Sequence, residues 1–194
     1  MTFIEVKDLK KTYGIKGNII HALDGVTFDL DKKELVVILG ASGAGKSTLL
    51  NLLGGMDYAT SGSYIVNGKE VTSYKDKDLA LFRRNHVGFV FQFYNLMPNL
   101  TAYENVKLSI THTKDYIDPK EALELVGLGE RLNNFPSNLS GGEQQRVSIA
   151  RAIVKKPDIL LCDEPTGALD SKTGKSILKL LKSLSDTGIQ SVII

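Results

Sequence analysis

Leu35-Val36-Val37-Ile38-Leu39-Gly40-Ala41-Ser42-Gly43-Ala44-Gly45-Lys46-Ser47-Thr48 is the stretch on which the fold turns. Five consecutive apolar residues suit a strand buried on both faces. The glycine-rich run after them suits a tight loop, and a helix is expected from Lys46. Two glycines separated by four residues and followed by Lys and Ser fit the P-loop pattern. Polyphosphate needs several backbone N–H groups converging on it, which only small residues permit, and the N-terminus of the following helix adds favourable partial charge. Gly40, Ala41, Ser42, Gly43, Ala44, Gly45, Lys46, Ser47 and Thr48 are therefore the expected nucleotide contacts. Lys46 should reach the β and γ phosphates, and the Ser47 hydroxyl should ligate Mg²⁺.

A second apolar run, Ile159-Leu160-Leu161-Cys162, ends in Asp163-Glu164. Carboxylates at the end of a buried strand are costly unless a cation or hydrogen-bond donors meet them. An acidic strand end alone is weak evidence, since many strands finish so. Beside a P-loop it reads as the other half of one site, with Asp163 holding Mg²⁺ and Glu164 acting as general base for an attacking water.

Around these segments strands alternate with helices. Phe3–Leu9 and Ile20–Leu30 alternate apolar and polar residues about loop signals at Gly14 and Gly17, which predicts an N-terminal antiparallel sheet. Strands are expected over 63–67, 87–91, 158–162 and 191–194, and helices over 76–84, 102–110, 119–126, 141–155 and 171–184. Residues 94–155 read as a helical subdomain inserted into an α/β core with a mainly parallel sheet.

Apolar residues make up 42% and charged residues 24% of the 194-residue chain, ordinary globular usage for a single domain. A net charge of +2 without basic runs gives no footprint for nucleic acid. The lone Cys162 cannot form an internal disulfide, and no signal-like N-terminus or apolar run of roughly 20 residues appears, so a cytoplasmic protein is expected. Cys162 reads as a small buried hydrophobe. Lys172, Lys175, Lys179 and Lys182 read as a solvated helix face.

Leu139-Ser140-Gly141-Gly142-Glu143-Gln144-Gln145 adds a capping serine and paired glycines that open a helix, an arrangement able to bind phosphate. An ordinary capped helix would account for Ser140 and Glu143 but not for the two glycines. This run resembles the signature sequence of ATP-binding-cassette proteins, and the resemblance extends along nearly the whole chain. It implies a RecA-like P-loop core with an antiparallel β subdomain and a helical subdomain, so that residues 1–194 form one nucleotide-binding domain. Tyr13 resembles the aromatic residue that stacks on adenine, although alone it would read as an ordinary core or surface tyrosine. Gln92 resembles the glutamine that contacts Mg²⁺ and water while sensing a permease. Ala168-Leu169-Asp170 resembles the loop that crosses between partners. Within the family, Phe91-Gln92-Phe93-Tyr94-Asn95-Leu96 and Asp163-Glu164-Pro165-Thr166-Gly167-Ala168-Leu169-Asp170 look like the branch of macrolide exporters, lipoprotein-release ATPases and antimicrobial-peptide resistance transporters.

The resemblance implies an ATPase that dimerises head to tail, each ATP held between one chain's P-loop and the neighbour's Ser140 and Gly142. The dimer would drive a separate integral membrane permease, an exporter, from the inner face of the membrane. A cassette that transmits force to a membrane partner without moving a substrate, as in a cell-division complex, is the alternative. The apolar run Phe93, Tyr94, Leu96 and Met97 is a candidate permease surface. The family's switch histidine falls a few residues beyond Ile194, and His21, His86 and His112 lie in other segments. A C-terminally truncated cassette that binds ATP but turns it over weakly is therefore expected.

Overall fold

A computed structural model describes residues 2–14, 18–186 and 190–193. In chain order the elements are β1 (Ile4–Tyr13), β2 (Ile20–Leu30), β3 (Leu35–Val37), α1 (Lys46–Leu53), β4 (Ser61–Val66), β5 (Lys69–Glu70), α2 (Asp76–His86), β6 (Val87–Val90), α3 (Ala102–Lys107), α4 (Pro119–Leu125), α5 (Gly141–Ile153), β7 (Ile159–Cys162), α6 (Ser171–Asp186) and β8 (Gln190–Ile193). The predicted order of strands and helices is present. The expected final strand is shifted by one residue, with Ile194 outside the described residues, as is the loop signal at Gly17.

Two sheets divide the work. Alternation in the first thirty residues produces an antiparallel sheet ordered β2-β1-β4-β5, with Ile4 opposite Leu30 and Val66, and Tyr13 opposite Ile20. The second sheet, ordered β3-β8-β7-β6, is parallel throughout, with Val87 to Val90 paired to Ile159 to Cys162, and Cys162 to Ile193. Parallel pairing requires crossover connections, which the helices supply.

Strand β7 is wholly buried, and its side chains alternate between two cores. Ile159 and Leu161 join Leu50, Leu53, Tyr64 and Val6 beneath the antiparallel sheet. Leu160 and Cys162 join Val106, Leu123, Ile149 and Ile177, where α3, α4, α5 and α6 pack. The helices around residues 102–153 thus rest on one face of the parallel sheet through α5. Burial pushes the Cys162 thiol up, as suits a small core residue with no thiolate chemistry. On α6, Ile177, Leu181 and Leu184 face inward while all four lysines of the expected solvated face are exposed.

One expectation fails. The run Leu35–Leu39 is a strand only over Leu35–Val37, and it is not buried on both faces: Val37 is 55% and Leu39 88% exposed. Among the described residues β3 lies at the edge of its sheet, with β8 as its one neighbour, and the layers that bury β7 cover it only in part: Leu35 packs on one core and Val36 and Ile38 on the other, each partly buried. The chain leaves the ladder after Val37 to begin the glycine loop.

Because β7 is packed on both faces, Leu160→Ala and Leu161→Ala should each lower stability by about 2–5 kcal/mol in urea denaturation. A strand covered on one side alone would show that loss for just one of the pair.

Candidate nucleotide-binding site

The loop from Gly40 to Gly45 lies at the C-terminal end of the parallel strands, and α1 starts at its last turn. Gly45, the residue preceding α1, has φ 84°, and a Cβ there would stand 2.2 Å from the Ala22 carbonyl oxygen. Only glycine fits a left-handed backbone pressed so closely on β2. A Cβ at Gly43 would meet nothing within 4 Å, so that glycine answers to its φ of 80° rather than to crowding. The Lys46 ammonium donates to the Gly40 and Ala41 carbonyls, both at 2.9 Å, which holds the cation across the mouth of the loop.

Ser42, Gly43, Gly45, Lys46, Ser47 and Thr48 border a cleft of about 280 Å³, together with Ile20, His21 and Ala22 of β2 and the carboxylate-bearing Glu164. The sequence carried no sign of the β2 contribution, because strand pairing across the hairpin brings it there. Ser47 Oγ donates to Asp163 Oδ1 at 3.2 Å across 116 residues of chain. The Asp163 amide donates to the Val90 carbonyl at 2.9 Å, carrying the β6–β7 ladder one residue past the strand.

Glu164 follows at φ 46°, a left-handed conformation uncommon for a residue with a side chain. The turn is closed by Gly167 N donating to the Glu164 carbonyl at 3.0 Å, and Glu164 is exposed while Pro165 is buried. A Cβ at Gly167 would lie 3.1 Å from Gln92 Nε2 and 3.3 Å from Glu164 Oε2. Gln92 and Glu164 therefore converge over Gly167, as two groups that share one reacting water would have to.

Tyr13 lies 41% exposed at the end of β1. Its hydroxyl donates to Asp57 Oδ2 at 2.6 Å, and the Lys11 ammonium, 4.8 Å from the ring centroid, covers one face. Lys11 also bonds Asp57 Oδ1 at 2.6 Å. Burial pushes the Asp57 carboxyl up, but the hydrogen bonds from Lys11, Tyr13 and the Tyr58 amide outweigh it and hold the group below its usual range. The hydrogen bond to Asp57, with burial and that residue's charge, raises the Tyr13 phenol. Asp57 and Lys11, which no sequence motif marks, thus fix the ring.

Ser140 and Gly142 do not border this cleft. They open α5 in a complete capping box. Glu143 N donates to Ser140 Oγ at 3.3 Å, and the Ser140 amide and hydroxyl both donate to Glu143 Oε2 at 2.8 Å. Those bonds, chiefly the one from the Ser140 amide, keep the Glu143 carboxyl below its usual range, helped by Arg131 at 3.3 Å. The two glycines also have a local cause that the sequence did not disclose. A Cβ at Gly141 would stand 2.8 Å from the Tyr94 hydroxyl, and one at Gly142 2.5 Å from Thr173 Cγ2. Asp170, on the loop before α6, accepts from the amides of Lys172 and Thr173 at 3.0 Å each, and the Thr173 side chain first, then these amides, hold its carboxyl low.

A family model described as ABC transporter matches residues 23–167. An ABC transporter ATP-binding protein of Thermotoga maritima is 46% identical, over 98% of this chain and 84% of its own length. The macrolide export ATP-binding/permease protein MacB of Bdellovibrio bacteriovorus is 40% identical over 98% of this chain, which spans 30% of that longer protein. Among solved structures, the dimeric post-hydrolysis state of the ATP-binding cassette MJ0796 bound to ADP and Pi superposes with a TM-score of 0.87 at 41% identity, covering 98% of this chain and 86% of the other. The chain belongs to the ABC transporter family. It is one of the family's ATP-hydrolysing cassettes, with the α/β core and antiparallel sheet described above.

Lys46→Ala removes the charge at the loop mouth and should weaken MgATP binding by roughly 3 kcal/mol, on the order of 100-fold. Tyr13→Ala should cost roughly 1 kcal/mol. Titration calorimetry checks both, and undiminished affinity in the two variants would dismiss this cleft as the nucleotide site.

Proposed function

We propose that this chain is the ATP-binding subunit of an exporter, working as a head-to-tail dimer that drives a separate membrane permease. The observation that carries the reading is the division of the phosphate-binding groups. One cleft gathers Ser42, Gly43, Gly45 to Thr48 and Glu164, whereas the N-terminus of α5 lies outside it and opens elsewhere. A second copy would bring its own Ser140 and Gly142 to face the loop, so each ATP would be held by two chains. ATP then binds the closed dimer better than the open chains, and that difference moves an attached permease. The relatives named macrolide export ATP-binding/permease proteins support the export direction.

Within that dimer Tyr13 stacks on adenine, the loop from Gly40 to Thr48 binds the phosphates, and Lys46 turns from its carbonyl partners to the β and γ oxygens. Ser47 Oγ and Asp163 Oδ1, at 3.2 Å, offer two hard oxygen donors side by side. That pair suits Mg²⁺, which takes few protein ligands and keeps phosphate and water oxygens. Mg²⁺ would neutralise the charge that develops on the phosphate oxygens. Gln92 lies near enough to orient the same water that Glu164 deprotonates. No described helix is long and apolar enough to cross a membrane. The segment after Gln92 supplies the surface: Phe93 and Met97 are 71% and 50% exposed, whereas Leu96 packs against the helical core and Tyr94 against Gly141.

Glu164→Gln, which binds ATP without a base to spend it, should convert the chain from monomer to dimer on adding MgATP in sedimentation runs. A monomer at saturating MgATP would sink the sandwich. Phe93→Glu and Met97→Glu should abolish co-purification with the permease while leaving ATP affinity within about twofold. Unchanged co-purification rejects that surface.

A further inference from the structure

Gln145, in the second turn of α5, is fully buried. Its Nε2 donates to the Pro165 carbonyl at 2.9 Å, and its Oε1 has no partner among the described residues. Leaving half of a buried amide unmet costs about 1–3 kcal/mol. A methionine would fill the same space without that cost. The position keeps an expensive side chain for one bond, and what the bond joins gives the reason.

Pro165 is the residue after Glu164, so the bond ends on the turn that aims the base. At the other end, Gln145 stands three positions after Gly142, on the rigid helix whose N-terminus would meet the partner's triphosphate. Gly141 and Gly142 touch Tyr94 and Thr173 only through close packing. Among the described residues the Gln145–Pro165 bond is the one side-chain hydrogen bond from α5 to residues 163–167. A left-handed residue such as Glu164 is held by its surroundings rather than by its own preference. Displacing the Pro165 carbonyl therefore re-aims the carboxylate.

We propose that Gln145 is a positioning residue that couples the two sites of the dimer. Seating of the partner's nucleotide on the N-terminus of α5 sets, through this bond, the direction in which Glu164 faces this chain's own nucleotide. The inference rests on the head-to-tail reading above. It adds a named path by which occupancy of one site is felt at the other.

The test is Gln145→Met in the full chain, with Gln145→Asn, an amide one methylene too short to span the bond, as second variant. Both should lower kcat for ATP hydrolysis about 10- to 100-fold, the range that a 1 Å misplacement produces. KM and calorimetric affinity for MgATP should stay within about twofold, and the methionine variant should melt no lower than the parent. Wild-type kcat in both variants overturns the coupling. So does a loss of affinity and melting temperature in step with kcat, which marks a merely structural residue. Adding Glu164→Gln to each variant separates this inference from the one beneath it. ATP-dependent dimers that form as in Glu164→Gln alone leave the sandwich standing whatever kcat does. Monomers in Glu164→Gln itself remove the sandwich and the coupling together.

Discussion

Strand β7 has neither a free edge nor a free face, and this double constraint sets the geometry of the site. Its backbone is paired to β6 on one side and β8 on the other, while alternate side chains enter two separate cores. Shifting the strand by one residue would send Leu160 and Cys162 into the wrong core and Ile159 and Leu161 into the other. The C-terminal end of β7 is consequently held by both its pairing and its packing. Open parallel sheets bind ligands at the carboxyl ends of their strands. Here that end delivers Asp163 to Ser47, 116 residues earlier, with no tolerance for drift.

The turn after β7 is organised by contrast in burial. Asp163 is half-buried and tied to the sheet by its amide, and Glu164 is exposed on a left-handed residue, with Pro165 buried again. Two adjacent carboxylates are thereby given different surroundings and different freedom. The first is suited to hold a cation in place. The second reaches open solvent, where a water can be taken up. A regular continuation of the strand would have sent the two side chains to opposite faces of the sheet, so the turn at Glu164 brings both to one end.

Much of this geometry was legible in the sequence, because the residues concerned act through local pattern. Gly43 and Gly45 advertise a backbone that needs positive φ, and Ser140 with Glu143 spells a capping box by residue type and spacing alone. The four buried residues of β7 show as a continuous apolar run. The same rule misled at Leu35–Leu39, since an apolar run reports hydrophobicity and not how many layers come to lie on it; Leu39 is 88% exposed. Contacts made by side chains distant in sequence had no signal at all. Asp57 holds Tyr13 from 44 residues away, and Gln145 reads in sequence as one more good helix former.

The paired glycines of the signature run answer to packing within the chain and, in the proposed dimer, would answer to a second demand. Tyr94 and Thr173 crowd the positions where their Cβ atoms would be, so packing within the chain already excludes larger residues. The capping box meanwhile commits the Ser140 hydroxyl, which accepts from the Glu143 amide and donates to the Glu143 carboxylate. The first amides of a helix have no acceptor within it, so those of Gly141 and Gly142 are the donors left for an anion. Glu143 places a carboxylate beside that anion's position, which would oppose binding if it stood alone. Arg131, 3.3 Å from Glu143, offsets the charge. A phosphate at this helix end would therefore meet backbone donors with the neighbouring carboxylate already paired. Rotating Ser140 toward it would first have to break the bond that keeps Glu143 in place, so the glycine amides should carry more of the recognition than the serine whose identity marks the motif.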